Sequence, residues 1–442
     1  MKSRDTIVAV ATPAGVGGIA VVRLSGDAAL QIALTHLNVE TLRPRHATYC
    51  RFDDLDDGIA VYYPAGYTGE PTVEFSCHGS QYVQHAVVQA LIDSGARLAE
   101  AGEFTMRAFR NGRLNLSQAE AVADLIEAAT PVQHRLAVSQ MRGGYAKELE
   151  LLRRELIDFA SLLELELDFG EEDVEFANRE RLQCTLSELT DKVQRLVGSF
   201  HDGNVFKNGI PVAIVGRPNA GKSSLLNALL AEDRAIVSPV PGTTRDTVEE
   251  TMNIGGMTFL FIDTAGIHES DDQIESLGFE RSIRAAQQAK IILFVRVVTV
   301  PFDEYAFDDI VFFTDRCQMK DKHLFIVNNK CDLLYDGTPL GHIVSAKYGT
   351  GIDQLKQSIV DAVKGDLQQN KGVLLTNIRH YEAMKKVLSA LNEVQKGLDA
   401  GLTPDLVVVD LRDALYHLGT ITGEVTNDEV LGNIFSRFCI GK

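Results

Sequence analysis

The sequence predicts a multidomain protein that combines α/β and all-α parts. Its length of 442 residues is sufficient for roughly two to four domains. The residue pattern changes near residues 117, 210 and 370: mixed patterns give way to long helical ones, then to alternating strands and helices, then to helices again. We therefore expect an N-terminal α+β domain (1–117), a discontinuous helical domain (118–209 and 370–442), and a doubly wound α/β domain (210–369) inserted into it.

The N-terminal domain is predicted from alternating apolar positions. Apolar strands within 6–24 surround a glycine-rich loop, and 27–37 has helical spacing. Residues 59–63 and 72–75 have the composition and alternation of strands. Strands and helices mixed in this order are typical of an α+β domain.

The helical domain is predicted from long patterns with few breakers. Ser117 is the expected N-cap of a helix that begins at Gln118. Patterns at 381–398 and 404–418 supply the second stretch. Five apolar residues with three-then-four spacing predict a helix that packs on other helices: Leu149, Leu152, Leu156, Phe159 and Leu163.

The inserted domain is predicted from short apolar strands separated by helical segments. The strands are expected at 212–215, 259–262, 291–298 and 325–327. Alternation of this kind favours a parallel, doubly wound sheet.

Charge and composition restrict the function classes. The net charge of −18 has the wrong sign for broad electrostatic capture of nucleic acid, so a nucleic-acid partner needs a local basic face. The six cysteines are far apart and form no Cys-x-x-Cys pair, so reduced thiols are expected. Without an apolar run near the ~20 residues of a membrane span, and without a signal-peptide pattern, we expect a cytoplasmic protein that makes no membrane contact.

A phosphate-binding loop is predicted at residues 216–223. The motif Gly-Arg-Pro-Asn-Ala-Gly-Lys-Ser follows a predicted strand and opens the helix 224–230, as such a loop requires. Lys222 would bridge the β- and γ-phosphate oxygens, and Ser223 would bind Mg²⁺. The predicted nucleotide contacts are Asn219, Ala220, Gly221, Lys222, Ser223 and Ser224.

Two further motifs are expected around the γ-phosphate. An Asp-Thr-Ala-Gly motif at 263–266 places an aspartate near the metal and a glycine N–H near the phosphate, and Thr244 upstream can give Mg²⁺ a second hydroxyl. The predicted contacts are Ser238, Pro239, Val240, Pro241, Gly242, Thr243, Thr244, Asp263, Thr264, Ala265 and Gly266.

A base-reading motif follows the predicted strand 325–327. In Asn-Lys-Cys-Asp (329–332), the Asp332 carboxylate can accept both the ring N–H and the exocyclic amine of guanine, which adenine cannot offer together. The predicted base contacts are Asn329, Lys330, Asp332, Ser345, Ala346 and Lys347. The order of these motifs predicts a Ras-like P-loop G domain with GTP and Mg²⁺ as its ligands.

GTP hydrolysis in this chain needs a substitute for the glutamine that orients the attacking water in Ras-like proteins. Ras-like switches have a glutamine after Asp-Thr-Ala-Gly to orient the attacking water, but this chain has Ile267. Asn219 offers a side-chain oxygen suited to a monovalent cation that could supply positive charge. The alternative is that Asn219 is a loop amide that satisfies backbone groups.

Together these motifs and their flanking blocks resemble the bacterial tRNA-modification GTPase family MnmE (TrmE) over the whole chain. Besides the nucleotide motifs, the resemblance is carried by 5–9 with 17–19, by 102–109, by 111–121 and by the tail Phe-Cys-Ile-Gly-Lys at 438–442. The tail and the block 107–120 are the discriminating pieces, because many GTPases share the rest. The resemblance implies an N-terminal domain similar to folate-binding aminomethyltransferases, which also dimerises, a discontinuous helical domain and an inserted Ras-like domain.

The resemblance also implies a reaction and partners. Homodimers of this family act with the FAD- and NADH-dependent protein MnmG (GidA), in a heterotetramer, on certain tRNAs. They attach an aminomethyl or carboxymethylaminomethyl group to C5 of the wobble uridine, position 34. The one-carbon unit comes from 5-formyl- or methylene-tetrahydrofolate.

The resemblance implies three groups of site residues. The folate contacts fall on Arg23, Glu74, Arg113 and Lys442, and the K⁺ ligands on Asn219, Ser238, Val240 and Thr243. Glu275 would orient the attacking water. Cys439 is a further candidate from its position in the tail, where its thiolate could reach the uridine or folate site.

The sequence departs from the family pattern at two places. Asn115 stands where an Asp is usual, and Pro239 and Pro241 stiffen the expected K⁺ loop.

Several of these residues have simpler alternatives. Arg23 and Arg113 could be surface cations or salt-bridge partners, Glu275 a solvated helix residue, and Lys442 a frayed terminus. Cys439 could be a small buried hydrophobe, or a nucleophile if the glycine-containing tail is flexible enough to swing.

Two other functions compete. A regulatory GTPase of ribosome assembly would hydrolyse GTP without covalent RNA chemistry, but no Gly-x-x-Gly loop in basic surroundings follows residue 370. A metalloenzyme that uses Cys77 and His78 is disfavoured, because two adjacent ligands do not make a site.

Overall fold

The computed structural model describes residues 5–169, 179–231, 250–262, 275–298, 311, 314–317, 319, 322–333, 340–369, 374–426, 428–436 and 438–441. The chain divides into two compact units. Unit 1 contains Met1–Glu127, Ala137–Leu189 and Ser389–Lys442, and unit 2 contains Ala128–Leu136 and Thr190–Leu388. The predicted boundaries at 117/118, 209/210 and 369/370 stay predictions.

The described elements are numbered in chain order. The strands are β1 (Ile7–Val10), β2 (Gly17–Ser25), β3 (Thr48–Phe52), β4 (Asp56–Tyr63), β5 (Thr72–Gly79), β6 (Arg97–Leu98), β7 (Ile210–Val215), β8 (Glu250–Ile254), β9 (Met257–Phe261), β10 (Ile291–Val297), β11 (His323–Asn329) and β12 (His342–Ile343). The helices are α1 (Ala29–His36), α2 (Gln81–Asp93), α3 (Glu103–Arg110), α4 (Leu116–Glu127), α5 (Pro131–Met141), α6 (Gly144–Phe169), α7 (Arg179–Gly198), α8 (Phe200–Asn208), α9 (Lys222–Leu230), α10 (Glu275–Gln288), α11 (Ile352–Gln369), α12 (Ile378–Asp399), α13 (Pro404–Thr422) and α14 (Asp428–Phe435).

Unit 1 contains a six-stranded sheet with the order β3-β4-β5-β2-β1-β6. Neighbouring strands are antiparallel except β1 and β6, which are parallel. Helices α1 and α2 cover an apolar core that includes Val22, Phe52, Phe75 and Val87. The predicted α+β content of the N-terminal region is confirmed, since β4 and β5 contain both of the strands expected after residue 50.

The start of α4 differs from its prediction. The helix begins at Leu116, and Asn115 caps it: Oδ1 of Asn115 accepts from the Gln118 N–H at 2.8 Å, while Oε1 of Gln118 accepts from the Asn115 N–H at 3.1 Å. This reciprocal pair is a capping box. Ser117 lies within the first turn and donates its hydroxyl to Oδ1 of Asn115 at 2.9 Å, so its assignment as the N-cap was wrong.

The predicted apolar stripe lies on α6. All five of its residues are buried, and α6 packs against α13 within unit 1. The ion pairs Arg153–Glu424 and Arg412–Glu164 join the same helical region at its surface. The helical character of both stretches is therefore confirmed.

Unit 2 contains a second six-stranded sheet with the order β12-β11-β10-β7-β9-β8. Alternate residues of β7 face different cores. Val212 packs with Leu225 of α9 and Leu355 of α11, whereas Ala213 packs with Ile283 of α10. Helices therefore cover both faces, as predicted for a doubly wound sheet.

One edge strand departs from the predicted parallel arrangement. Strand β8 is antiparallel to β9, while the other neighbouring pairs are parallel. The two strands are joined by Gly255 and Gly256, with φ values of +59° and +80°. A two-residue turn of this kind can join only antiparallel neighbours.

Candidate functional site

The phosphate-binding loop lies between β7 and α9. Strands β9 and β10 flank β7 on opposite sides, so the loop leaves the sheet where the strand order reverses, the usual ligand position in such folds. A Cβ on Gly216 would lie 2.1 Å from the Val295 oxygen, and one on Gly221 would lie 2.2 Å from Nδ2 of Asn329. Only glycine fits at these two positions.

The start of α9 suits an anion. Gly221 precedes the helix without a side-chain cap, so the N–H groups of the first turn have no acceptor within the helix. The helix dipole adds partial positive charge at the same end. Nζ of Lys222 donates to the oxygens of Gly216 and Arg217 at 3.0 and 3.1 Å, which holds the ammonium group against the loop. These groups fit a bound polyphosphate.

Asn329 connects the phosphate-binding loop to the predicted base-reading segments. It is buried at the end of β11, and its Nδ2 donates to the Ala220 oxygen at 3.0 Å. Its Oδ1 accepts from the N–H groups of Lys330 at 2.8 Å and Ala346 at 3.0 Å. Nζ of Lys330 in turn donates to the Asn219 oxygen at 2.8 Å. One buried amide thus links three of the predicted motifs.

Asp332 is exposed and oriented by Ser345. The Ser345 hydroxyl donates to Oδ1 of Asp332 at 2.6 Å, and this hydrogen bond lowers the pKa of the Asp332 carboxyl below its ordinary value. The carboxylate is therefore ionised at neutral pH and can accept hydrogen bonds from a base. Lys347 follows in the same loop, with Nζ 4.9 Å from the ring centroid of Tyr348.

Part of the predicted nucleotide site lies outside the described residues. For Glu275 the structure gives the backbone, which begins α10, but not the side chain. The predicted residues outside the described ranges are Ser238, Pro239, Val240, Pro241, Gly242, Thr243, Thr244, Asp263, Thr264, Ala265, Gly266 and Lys442.

A second cluster of predicted residues lies in unit 1, around Arg23 of β2. Nε of Arg23 donates to Oε1 of Glu74 at 2.8 Å, across the β2–β5 pair. The guanidinium carbon lies 5.7 Å from the ring centroid of Tyr67 and 5.6 Å from that of Phe104. The alternative that Arg23 is a salt-bridge partner is therefore confirmed. Sequence reasoning missed Tyr67 and Phe104, although Phe104 belongs to the block at 102–109.

The C-terminal tail docks on this cluster. Ile440 forms an isolated antiparallel bridge with Ala101, and a terminal nitrogen of Arg23 donates to the Gly441 oxygen at 3.4 Å. Gly441 has a φ of +98°, and a Cβ there would lie 2.2 Å from the Val10 oxygen. Gly441 therefore serves close packing in this conformation, and the expectation that the tail can swing stays a prediction. Cys439 is exposed, so its reading as a buried hydrophobe is wrong.

Arg113 and the Cys77–His78 pair occupy other positions. Arg113 is exposed, and its side chain lies close to Gly69. A Cβ added to Gly69 would lie only 3.1 Å from Cγ of Arg113. Cys77 is buried, whereas His78 is exposed and pairs with Asp56, with Nδ1 2.8 Å from Oδ1. Adjacent strand residues face opposite sides, so the two cannot hold one metal. The described residues contain no cluster of three metal-ligating side chains of the His, Cys, Asp and Glu types.

Comparison with known proteins covers both units. The model of the MnmE helical domain matches residues 116–439, and that of the GTP-binding protein TrmE N-terminus matches residues 6–113. The tRNA modification GTPase MnmE of Christiangramia forsetii is 46% identical, with all of both chains covered. The proteins of the same name from Flavobacterium johnsoniae and Bacteroides fragilis (strain YCH46) are each 45% identical, also over the full length of both chains.

Two further findings complete the comparison. Among solved structures, the G domain of the T. maritima FeoB iron transporter matches 35% of this chain and 98% of its own length at 23% identity, with a TM-score of 0.25. Among the described helices, none combines the length and the apolar character needed to cross a membrane. Identity near 45% over the whole length means that the chain belongs to the MnmE family of tRNA modification GTPases.

Proposed function

We propose that this chain hydrolyses GTP and, with an FAD-dependent partner of the MnmG (GidA) type, modifies C5 of the wobble uridine in certain tRNAs. The product carries an aminomethyl or carboxymethylaminomethyl group, and a tetrahydrofolate derivative supplies the one-carbon unit. The observation that carries this proposal is the docked tail, which brings the segment with Cys439 against Arg23 in the unit that the TrmE N-terminus model matches.

The GTPase step uses unit 2. The amides at the start of α9 and the ammonium of Lys222 hold the phosphates, while Asp332 accepts the two guanine N–H groups. The residues assigned to Mg²⁺ are Ser223 and Thr244, and those assigned to K⁺ are Asn219, Ser238, Val240 and Thr243. Mg²⁺ neutralises charge that develops on the phosphate oxygens. Glu275, at the start of α10, is assigned to orient the attacking water.

The one-carbon step uses unit 1. A folate offers carboxylates, a hydrogen-bonding pterin and flat aromatic surfaces, and the Arg23 cluster has a partner for each kind of group. Arg23 is a cation, Glu74 is an acceptor, and Tyr67 presents a partly exposed ring, whereas the ring of Phe104 is buried in the core behind Arg23. Arg113 and Lys442 are the other residues assigned to 5-formyl- or methylene-tetrahydrofolate. Cys439, two residues before Gly441, is assigned to the chemistry of the transfer.

The proposed assembly is a homodimer through the N-terminal domain, joined by the MnmG-type partner into a cytoplasmic heterotetramer that acts on tRNA without membrane contact. The rival proposal is a ribosome-assembly GTPase without covalent RNA chemistry. The names of the full-length relatives favour the first.

Mass spectrometry of wobble nucleosides tests the proposal. Cells that lack the chain are complemented with the wild type, with Cys439→Ser or with Cys184→Ser, which alters another exposed cysteine. We expect the modified uridine to return with the wild type and Cys184→Ser but not with Cys439→Ser. Unchanged wobble nucleosides in the cells without the chain, together with defective ribosomal subunits, would favour the rival.

A further inference from the structure

An aspartate, a histidine and a serine form a hydrogen-bonded chain in unit 1. Nδ1 of His36 is 2.7 Å from Oδ2 of Asp53, and Nε2 of the same ring is 2.7 Å from Oγ of Ser94. With the Nδ1 proton directed to the carboxylate, Nε2 carries the lone pair that accepts the serine hydroxyl. This is the connectivity of a nucleophilic serine, its general base and the carboxylate that orients the base.

The imidazole ring is held from several sides. It stacks on Phe52, with centroids 5.0 Å apart and planes 5° from parallel. The Asp53 N–H donates to the His36 oxygen at 2.8 Å, so Asp53 contacts His36 through both its backbone and its carboxylate. Asp53 adopts a φ of +46° to do so, a left-handed conformation of a kind that concentrates at functional sites. The base is therefore preorganised.

Ser94 is open to solvent. It is the exposed C-cap residue of α2, and its N–H donates to the Ala90 oxygen, which fixes its backbone. A small acyl donor can therefore approach Oγ directly. The three residues lie in unit 1 and belong to neither of the sites described above.

The backbone around Ser94 indicates the class of substrate. The N–H of Gly95 donates to the Ile92 oxygen, and that of Ala96 donates to the Leu91 oxygen. These two amides are thus not available to stabilise an oxyanion. In efficient hydrolases such stabilisation strongly lowers the activation barrier of acyl transfer. An ester with a good leaving group depends less on that stabilisation.

We propose that Ser94 is a nucleophilic serine, with His36 as its general base and Asp53 as the positioning residue. Ser94 takes acyl groups from small activated aryl esters, and the leaving group is the aryl oxide. Oγ attacks the acyl carbon, its proton passes to Nε2 of His36, and the bond to the aryl oxide breaks. His36 then gives the proton to the aryl oxide. A water molecule then gives a proton to His36 and attacks the carbonyl carbon of the acyl-serine. The bond from that carbon to Oγ breaks, the carboxylic acid leaves, and His36 returns the proton to Oγ, which restores Ser94.

The test uses the full-length chain, with the exposed Cys184 and Cys439 replaced by serine because free thiols also react with activated esters, and p-nitrophenyl acetate. We expect a burst of p-nitrophenolate and an acetyl group on the peptide that contains Ser94. Ser94→Ala should abolish both, and His36→Gln should slow the burst by about 10²-fold, the usual contribution of a general base. Matched controls are Ser80→Ala, an exposed serine at the other end of α2, and His78→Gln, a second histidine paired with an aspartate.

Two measurements separate chemistry from a structural role. Ser94→Cys places another nucleophile at the same position and should also become acetylated, while melting curves show that the variants are folded. The ¹⁵N shifts of His36 should report an Nδ1–H tautomer that changes in Asp53→Asn. Absence of acetyl-Ser94 in the wild type, or equal bursts in wild type and Ser94→Ala, would overturn the proposal and leave these bonds as a clamp between α1, α2 and the end of β3.

Discussion

A terminal nitrogen of Arg23 donates a hydrogen bond to the main-chain oxygen of Gly441, although 418 residues separate them in the sequence. Arg23 also pairs with Glu74 on the next strand and lies near the rings of Tyr67 and Phe104. The second-last residue of the chain is therefore part of the N-terminal cluster. Any chemistry assigned to the tail takes place beside Arg23 in this conformation.

Substitution of Gly441 tests whether this docking matters. In Gly441→Ala the new Cβ would lie 2.2 Å from the Val10 oxygen, in a backbone conformation that costs an alanine about 1–2 kcal/mol. We expect the tail to leave its position and wobble-uridine modification to fall by roughly 10²-fold, as for other misplaced reactive groups. GTP hydrolysis should stay near wild type, because the nucleotide motifs lie in unit 2. Both rates are measured with purified tRNA and the proposed MnmG-type partner.

Gly15→Ala is the matched control. Gly15 also has a positive φ, +133°, but a Cβ there meets nothing within 4 Å. The Gly15→Ala substitution therefore adds backbone strain without a steric collision. Equal modification by Gly441→Ala and wild type would show that the docked tail is not needed for the reaction.

The same glycine shows what the sequence could not provide. A glycine near a terminus is compatible with mobility and with close packing, and only the approach of Val10 decides between them. Likewise Asn115 and Ser117 are both good cap residues, and the choice between them depends on where Gln118 can reach.

The nucleotide motifs were predictable because their chemistry is local. A strand, a glycine loop and a helix follow one another along the chain, and the structure has them in that order as β7, the loop and α9. The hydrogen bond from Asn329 to Ala220 spans 109 residues and follows from the strand order β11-β10-β7. Contacts of this long-range kind could not be predicted from the sequence. The hydrogen-bonded chain of Asp53, His36 and Ser94 was therefore also missed, because those residues meet only through the packing of α1, α2 and β3.

Asp332→Asn tests base recognition. The carboxamide can accept one guanine N–H but presents a donor to the other, so we expect GTP affinity to fall by about 10²-fold. Xanthosine triphosphate, which carries an acceptor where guanine has its amine, should bind the variant better than GTP does. Asp353→Asn, an exposed change in the first turn of α11, is the control. Unchanged GTP affinity in a nucleotide titration would transfer the base-reading role to another residue.

A network of three carboxylates and two arginines, in which Asp5 and Glu103 each pair with both arginines, should make the N-terminal region sensitive to acid. Burial opposes ionisation of Glu103, but hydrogen bonds from Arg97, the Glu100 N–H and Arg107 outweigh it, and the pKa of Glu103 lies below its ordinary value. Burial likewise opposes ionisation of Asp5, and bonds from the same two arginines lower its pKa. The stabilisation is present above the unfolded pKa of about 4 and is lost as the pH falls through the lower folded pKa.

Glu103→Gln is expected to reduce the free energy of local opening at α3 by roughly 2 kcal/mol at neutral pH, because charged hydrogen bonds to a buried carboxylate are lost. Native-state hydrogen exchange of the α3 amides measures this energy. The difference from the wild type should begin to shrink below about pH 4, where the carboxylate is protonated in the opened state, and should disappear only once the pH has fallen through the lower native pKa. Glu100→Gln, an exposed neighbour, should behave as wild type. A difference that persists unchanged in acid would mean that the ion pairs are not its source.

Potassium dependence tests the substitute for the missing glutamine at Ile267. We expect GTP hydrolysis to be at least about tenfold faster in KCl than in NaCl at equal ionic strength. In GTPases that use an arginine, one positive charge at the transition state accelerates hydrolysis by far more than about tenfold.

Asn219 is exposed and has a φ of +58°, a conformation that glycine and aspartate tolerate better than alanine does. Asn219→Gly therefore removes the side-chain oxygen without added strain, and Asn219→Asp keeps an oxygen. If the oxygen binds K⁺, the preference for K⁺ disappears in Asn219→Gly and persists in Asn219→Asp. Equal rates in the two salts for the wild type would exclude cation activation, and a K⁺ preference that survives in Asn219→Gly would assign the ion to other ligands.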